Sequence, residues 1–156
     1  KAVNPWNPDA WSYRAVLAHL KNDAAAEAEA RSSALRYWTN NPHVDYLIGR
    51  KLSQKYRFSE GAARQRTALG MDPAYTLAKA QLASDLLRLG EDAEGWRLAQ
   101  ELHRSDAYDV TAFNLVTLHD TMEKFTTLTN ADFVVRMNAR EATIDRKSTR
   151  LNSSHT

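Results

Sequence analysis

Residues 74–107 read AYTLAKAQLASDLLRLGEDAEGWRLAQELHRSDA. Apolar residues recur at helical spacing on both sides of Gly90, which predicts two helices, the first of which ends at this glycine. Ala83 and Gly95 are small residues 12 positions apart on the two predicted helices. Glycine inside a helix costs about 1 kcal/mol relative to alanine, so Gly95 needs a compensating contact. Close approach of the two backbones supplies one, and the stretch therefore predicts a tight antiparallel helix pair.

The same arrangement occurs three times along the chain. The small residues, 12 positions apart in each pair, are Ala18 and Ala30, Gly49 and Gly61, and Ala83 and Gly95. The units start at motifs spaced 34, 31 and 34 residues apart, Asn7-Pro8, Asn41-Pro42, Asp72-Pro73 and Asp106-Ala107. Asn or Asp can cap the free amide groups of a helix, and Pro at the first helical position gives up no hydrogen bond. A fixed period of this length predicts a repeat architecture.

Seven helices are predicted, and no strand interrupts them. They cover residues 8–21, 24–38, 42–55, 59–69, 73–89, 92–104 and 108–122. Asp23 and Ser59 are the predicted amino-terminal caps of the second and fourth helices. Gly70 and Gly90 are the predicted ends of the fourth and fifth helices, where a left-handed residue closes the last turn.

Apolar side chains are predicted to fill the seams between these helices. The seam residues are Val16, Leu17, Leu20, Leu47, Ile48, Leu52, Leu77, Leu82, Leu86 and Leu89. The aromatic residues predicted to fill hairpin cores or to cover the ends of the stack are Trp11, Tyr13, Tyr37, Trp38, Tyr56 and Trp96. None of them marks a cofactor, and no cofactor is predicted.

Units of about 34 residues with small residues at these two positions resemble the tetratricopeptide repeat. Residues 74–107 match best, through Leu82-Ala83, Leu86, Gly95 and Asp106-Ala107, with Lys79 where an aromatic residue is usual. The resemblance covers residues 8 to about 122, and residues 1–124 are predicted as the repeat domain. It implies an all-α fold, an α-solenoid of about three and a half antiparallel hairpins whose first helices line a concave face.

The resemblance also implies which residues point into the concave groove. They are Ser12, Ala15, His19, Tyr46, Arg50, Gln54, Ala80, Ser84, Arg88, Asn114 and Leu118. Some relatives grip a peptide carboxylate with a Lys and Asn clamp at groove positions, and that clamp is absent here. Tyr46 and Arg50 are the predicted hot spot, because aromatic and guanidinium groups dominate binding energy at interfaces. A merely solvated surface is the alternative for each of these residues.

The composition excludes several classes of protein. The 156 residues include no cysteine, so there is no disulfide framework and no thiolate metal site. No stretch approaches the roughly 18–20 apolar residues of a membrane span. The formal net charge is +2, from 21 basic and 19 acidic residues. Three of the basic residues and one acidic residue lie in residues 145–156, which leaves 18 of each sign. A neutral body predicts no nucleic-acid binding, and the compartment is not indicated.

No catalytic or metal-binding motif is recognisable. The sequence has no His-Glu-x-x-His pair, no Gly-rich phosphate loop and no nucleophile elbow. His119 and Glu123 lie one helical turn apart, but without a third ligand a surface pair is the preferred interpretation over a metal site. The chain is therefore predicted not to be an enzyme by itself.

The character of the sequence changes at Phe125, where FTTLTNADFVVRMNAREATI follows the last helix. FVVRM predicts the only strand, after a turn at residues 129–132, and Asn138 with Glu141 predicts a new helix start. The last helix and DFVVRMNAREA resemble the entry into a peptidase MA-like domain, the gluzincin zinc metallopeptidase fold, in bacterial proteins that fuse the two. The resemblance implies that residues 125–144 are the truncated start of that domain, with its metal ligands downstream.

Residues 145–155 read DRKSTRLNSSH, which resembles the in-frame translation of a common sequencing adapter. We therefore expect residues 145–156 to be an artefactual tail and exclude them from reasoning about the fold. A natural disordered basic tail is the alternative.

Three functions are compatible with these observations. The leading hypothesis is a scaffold for protein–protein interaction that binds a peptide or a partner domain, such as its own missing C-terminal domain, in the concave groove. The second is a region that positions substrate or partner for a zinc metallopeptidase whose catalytic domain is absent from this fragment. The third is a structural spacer.

Overall fold

Seven helices and two strands form the part of the chain that the computed structural model describes, residues 4–129 and 131–142. The helices are α1 (Pro8–Leu20), α2 (Ala24–Ala34), α3 (Pro42–Ser53), α4 (Phe58–Met71), α5 (Thr76–Leu89), α6 (Asp92–Ser105) and α7 (Val110–Met122). The strands are β1 (Phe125–Thr129) and β2 (Val134–Asn138). All seven predicted helices are confirmed, with α2 ending four residues before its predicted end.

The chain forms two compact units that divide between Phe113 and Asn114, inside α7. In the first unit, the hairpins α1–α2, α3–α4 and α5–α6 stack through contacts of α1 with α3 and of α4 with α5. Stacked helical hairpins confirm the predicted all-α repeat fold. The boundary between residues 124 and 125 stays a prediction. The tail, residues 145–156, lies outside the described residues.

Close backbone approach is confirmed at two of the three predicted pairs of small residues, Gly49 with Gly61 and Ala83 with Gly95. A Cβ atom built on Gly49 would lie 2.8 Å from the carbonyl oxygen of Gly61, and one on Gly61 would lie 3.0 Å from the carbonyl oxygen of Gly49. A Cβ atom on Gly95 would lie 3.3 Å from the carbonyl oxygen of Ala83. The repeated small residues therefore mark the places where paired helices touch.

Three of the predicted amino-terminal caps are confirmed. Asn7 Oδ1 accepts a hydrogen bond from the Asp9 amide at 2.9 Å, and Asn41 Oδ1 accepts one from the His43 amide at 3.1 Å. Asp23 Oδ1 accepts one from the Ala26 amide at 3.0 Å. These bonds satisfy amides that have no partner within the helix.

Asp72 and Asp106 are predicted to cap the helices that follow them, and this prediction is wrong. Each ends the helix before it, α4 and α6 respectively. Their Oδ1 atoms accept from the amides of Ala74 and Tyr108, both at 2.9 Å, so each aspartate closes a turn between two helices. The cap of α7 is Asp109, whose Oδ1 accepts from the Ala112 amide at 2.8 Å.

Two further predicted helix boundaries are wrong. Ser59 lies inside α4, because the left-handed turn at Tyr56, with φ 63°, brings the chain into the helix at Phe58. Gly70 is also helical, because α4 continues to its end at Asp72. Gly90 closes α5 with φ 80°, as predicted.

The core of the first two hairpins consists of small and branched side chains. Its buried members are Ala15, Val16, Ala30, Ala34, Val44, Ile48 and Leu52. Trp11 packs against it from one side, and Trp96 is half-buried in α6. Both aromatic positions agree with the predicted packing.

Several residues assigned to the core or the seams are exposed instead. They are Tyr13, Leu17, Tyr37, Trp38, Tyr56, Leu77 and Leu89. Tyr37 and Trp38 are exposed because α2 ends at Ala34, which leaves them in the link to α3. Tyr56 is exposed because it occupies the turn after α3. Leu17 on α1 is 58% exposed, and Leu77 and Leu89 on α5 are 46% and 40% exposed.

The second unit contains a β-hairpin. β1 and β2 are antiparallel, with Phe125 opposite Asn138 and Thr129 opposite Val134. The prediction of a single strand is therefore corrected, because the threonine-rich segment that precedes the turn pairs with FVVRM. Asn138 Oδ1 accepts from the Arg140 amide at 3.0 Å at the start of a helical turn, residues 139–142, as predicted. Within the described residues, every helix is too short or too polar to cross a membrane.

Candidate functional site

A cavity of about 760 Å³ opens on the first unit between α3, α5 and the start of α7. We call it the groove. Its lining residues are His43, Tyr46, Arg50, Ser53, Gln54, Tyr56, Phe58, Leu77, Ala80, Gln81, Ser84, Asp85, Arg88, Asp109 and Thr111. Its volume lies within the range of about 300–1,000 Å³ that is typical of ligand sites.

Six predicted groove residues line this cavity together. They are Tyr46 and Arg50 on α3, Gln54 directly after its end, and Ala80, Ser84 and Arg88 on α5. Residues four apart share one face of a helix, and each α3 residue stands 34 positions before its counterpart on α5. The repeat therefore aligns two matching faces on one cavity. That these residues bind a ligand stays a prediction.

The other predicted groove residues do not line this cavity. Ser12 and Ala15 are buried within the first hairpins. His19 does not line the groove, since its Nδ1 atom lies 2.9 Å from Glu27 Oε2. Asn114 and Leu118 are exposed and belong to the second unit, so their role in the groove stays a prediction.

Two arginines in the groove form no ion pair with the described residues. Arg50 is exposed, and its guanidinium donates no hydrogen bond to any of them. The Arg88 Nη1 atom donates to the Ser84 carbonyl at 3.2 Å, and its guanidinium carbon lies 5.3 Å from the centre of the Phe58 ring. Both guanidinium groups therefore keep N–H donors for a ligand.

Aromatic rings form one wall of the groove. The Tyr46 ring is only 7% exposed and lies 5.6 Å from the His43 ring and 5.8 Å from the Tyr75 ring. The Tyr75 hydroxyl is 2.8 Å from His43 Nδ1. Burial raises the pKa of Tyr75, and the nearby Tyr46 adds to this rise. Of the predicted hot-spot pair, Tyr46 is a packed wall residue and Arg50 is the accessible one.

No family model and no curated protein matches this chain. Among solved structures, a similar one is the first TPR of Spaghetti (RPAP3) bound to HSP90 peptide SRMEEVD, with a TM-score of 0.58 and 11% sequence identity. The match covers 78% of this chain and 99% of that one. The chain has a tetratricopeptide-like fold. At this low identity the likeness concerns the fold alone.

In this tetratricopeptide-like domain the floor of the groove carries a buried carboxylate. Asp85 Oδ2 accepts a hydrogen bond from Ser53 Oγ at 2.7 Å, and Oδ1 accepts one from Gln81 Nε2 at 2.9 Å. Burial raises the pKa of Asp85, and the bonds from Ser53 and Gln81 oppose that shift. The ionised carboxylate is therefore costly to bury even with both donors in place.

Asp85→Asn is expected to leave stability unchanged or to increase it at pH 8. The amide can accept from Gln81 and donate to Ser53 Oγ, which can donate to the Gly49 carbonyl, 3.0 Å away. Because the folded-state pKa of Asp85 is raised, its contribution to stability is present at low pH and is lost as pH rises through that pKa. The advantage of the variant should therefore shrink as pH falls towards 4. Urea unfolding followed by circular dichroism, at pH 8 and at pH 4, measures the free energy of unfolding of the variant and of the wild type.

Asp85→Ala is the matched variant, since it removes the charge together with both hydrogen bonds. It should cost about 1–3 kcal/mol, because the partners of Asp85 are left unsatisfied in a buried place. A loss of similar size for Asp85→Asn at pH 8 would contradict the prediction.

Three lining residues could have been found by extending the repeat register. His43, Leu77 and Thr111 follow one another at intervals of 34 residues, three positions before Tyr46, Ala80 and Asn114. The apolar character of Leu77 instead predicts a place in a helix seam. The period was therefore a better guide to the groove than hydrophobicity.

No metal site is evident in residues 4–129 and 131–142. These residues contain no group of three or more His, Cys, Asp or Glu side chains that could hold an ion. His119 Nδ1 lies 3.9 Å from Asp120 Oδ1, the carboxylate of its chain neighbour.

Proposed function

We propose that this domain is a protein-interaction scaffold that binds an extended polypeptide segment in the groove. The observation that carries the proposal is the pair Arg50 and Arg88, which line one cavity and form no ion pair with a carboxylate of the described residues. Burial raises the pKa of Asp85, which lines the same cavity, and the charge of Arg88 acts on that carboxyl and opposes the rise. Leu77, which lines the same cavity and is 46% exposed, offers an apolar surface beside them. A peptide with acidic and apolar side chains would satisfy both features.

The chemistry of the two arginines favours an acidic ligand. A guanidinium presents planar donors that match a carboxylate, and charge-assisted hydrogen bonds are stronger than neutral ones. The structurally similar domain is bound to a peptide, SRMEEVD, that contains two glutamates and a terminal aspartate. That likeness supports the peptide class and leaves the sequence of the ligand open.

The double variant Arg50→Ala with Arg88→Ala is expected to weaken peptide binding by at least about tenfold, or about 1.4 kcal/mol. The probes are SRMEEVD and the tightest peptides selected by the wild type from a random heptapeptide library. Fluorescence polarisation measures the dissociation constants. Both side chains are exposed, so helicity should not change.

The control variant is Arg104→Ala on α6, which removes an exposed guanidinium that does not line the groove. It should bind the same peptides with unchanged affinity. Equal affinity of the double variant and the wild type for the selected peptides would overturn the assignment of the groove.

A second proposal concerns the intact protein. From residue 125 a β-hairpin replaces the helical repeats, which favours a different domain following them. We keep the hypothesis that residues 125–144 begin a peptidase MA-like domain of bacterial origin and that the repeats position its substrate or partner. This hypothesis requires a zinc-binding His-Glu-x-x-His helix with a later Glu elsewhere in the protein.

A further inference from the structure

A second cavity, of about 570 Å³, lies along α2 and extends to Arg64 of α4. We call it the α2 cleft, and it shares no lining residue with the groove. The first two hairpins contact each other mainly through α1 and α3, and α2 makes its most extensive contacts with α1. Long polar side chains, rather than close helix packing, span the space between α2 and α4.

Two arginines of the cleft are anchored on carboxylates. Arg31 donates from Nε and Nη2 to the two oxygens of Asp45, at 2.9 and 2.6 Å. Arg64 donates from Nη1 to Asp45 Oδ1 at 3.2 Å and from Nη2 to Glu27 Oε1. Asp45 is fully buried, while the side chains of Arg31 and Arg64 are 28% and 26% exposed. Each guanidinium has five N–H groups, so both arginines retain donors that these bonds do not use.

A third arginine is held in place by aromatic rings. The guanidinium carbon of Arg36 lies 4.8 Å from the centre of the Trp6 ring and 5.7 Å from that of Tyr37. Stacking uses the faces of the guanidinium and leaves its N–H edges available. Arg36 lines the α2 cleft, as do Ser32 and Thr39. The side chains of these three residues form no hydrogen bond with the described part of the chain.

The charges of the cleft do not balance. Three guanidiniums, on Arg31, Arg36 and Arg64, line the cleft. The carboxylates of Asp45 and Glu27 pair with Arg31 and Arg64, and neither forms an ion pair with Arg36. The pKa of Arg31 is raised by its hydrogen bond with Asp45, so this group stays charged. The cleft therefore holds one positive charge in excess, together with unused donors on every arginine and two free hydroxyls.

We infer that the α2 cleft binds a phosphate monoester. A phosphoryl group carries nearly two negative charges at neutral pH and three acceptor oxygens, so it can engage donors that arrive from several directions. A carboxylate offers only two acceptor oxygens, fewer than the three guanidiniums that line the cleft, whereas a phosphoryl group offers three. The inference concerns a surface other than the groove and does not depend on peptide binding there.

Titration of the ¹⁵N-labelled protein by NMR at constant ionic strength tests the inference. The probes are inorganic phosphate, a phosphoserine peptide and the same peptide without phosphate. Inorganic phosphate and the phosphopeptide should produce saturable shifts in the amides of residues 31–39, and the unmodified peptide should not. Acetate at the same ionic strength should give no saturable shift. Absence of saturation, or equal binding of acetate, would overturn the inference.

Arg36→Ala is the variant that tests the geometry, because Arg36 lies outside the ion pairs that join the helices. It should weaken phosphate binding by at least about tenfold. Arg36→Lys keeps the charge but loses the planar donors, and its affinity should be intermediate. Arg66→Ala, on α4 but outside the cleft, should bind as the wild type does. Wild-type affinity of Arg36→Ala would overturn the inference.

The two phosphate probes distinguish the sources of the ligand. Similar affinities indicate a free phosphate compound, whereas tighter binding of the phosphopeptide indicates a modified polypeptide segment. Both results support the inference. The double variant of Arg50 and Arg88 should keep phosphate binding, so that this inference and the proposed function can fail separately.

Discussion

Replacing Gly49 with alanine is expected to lower the free energy of unfolding by about 3 kcal/mol. The new methyl group would lie 2.8 Å from the backbone oxygen of Gly61, 2.9 Å from Arg64 Cβ and 2.5 Å from Gln65 Nε2. The amide of Gln65 could move, but the backbone of α4 cannot do so without separating the hairpin. Alanine favours a helix over glycine by about 1 kcal/mol, and the steric clash outweighs that gain.

Gly70→Ala is the matched control, because Gly70 lies in the last turn of α4 and a Cβ atom there would have no neighbour within 4 Å. It should raise stability by about 0.5–1 kcal/mol through helix propensity alone. Urea unfolding followed by far-ultraviolet circular dichroism gives both values. A change of the same sign and size at the two glycines would show that the small residues do not mark a helix contact.

The sequence predicted these contacts because they depend on local geometry. A hairpin of two helices has one line of closest approach, so a pair of small residues at a fixed spacing identifies that line without knowledge of the rest of the fold. The same period of 34 residues aligned Tyr46, Arg50 and Gln54 with their counterparts on α5. Helix number, hairpin pairing and part of the groove could therefore be predicted.

The polar contacts between hairpins could not be predicted in the same way. Asp45 occupies a fully buried place on α3 and is matched by Arg31 on α2 and Arg64 on α4, which are 14 and 19 residues away. Nothing in the spacing of these three residues indicates that they meet. The partner of a charged side chain depends on how whole hairpins stack, and that arrangement is not encoded by local periodicity.

The end of α2 was mispredicted for a related reason. Tyr37 and Trp38 continue an apparent helical pattern, so the helix was extended to residue 38. In the structure α2 ends at Ala34, and residues after it contact the segment before α1. The Arg36 guanidinium carbon lies 4.8 Å from the centre of the Trp6 ring, and the Tyr37 ring meets the Trp6 ring edge-on with centroids 5.7 Å apart. Local periodicity contains no information about such contacts with a residue that precedes α1.

Replacing Arg31 and Arg64 together with methionine is expected to lower the free energy of unfolding by about 3–5 kcal/mol. Methionine preserves much of the side-chain volume, so the main change is electrostatic. Asp45, which is fully buried, would lose every cation that lies within ion-pair distance of it in the described residues. An ionised carboxylate without a partner in such a place is strongly unfavourable.

Adding Asp45→Asn to this double variant should restore part of the lost stability, because it removes the buried charge that the methionines leave unpaired. Arg97→Met provides the comparison, since Arg97 pairs with Glu101 at 2.6 Å on the surface, where its side chain is 55% exposed. That change should stay within about 0.5 kcal/mol, because exposed ion pairs contribute little. If the triple variant is no more stable than the double one, the arginines act through packing, and the junction between the first two hairpins does not depend on the charge of Asp45.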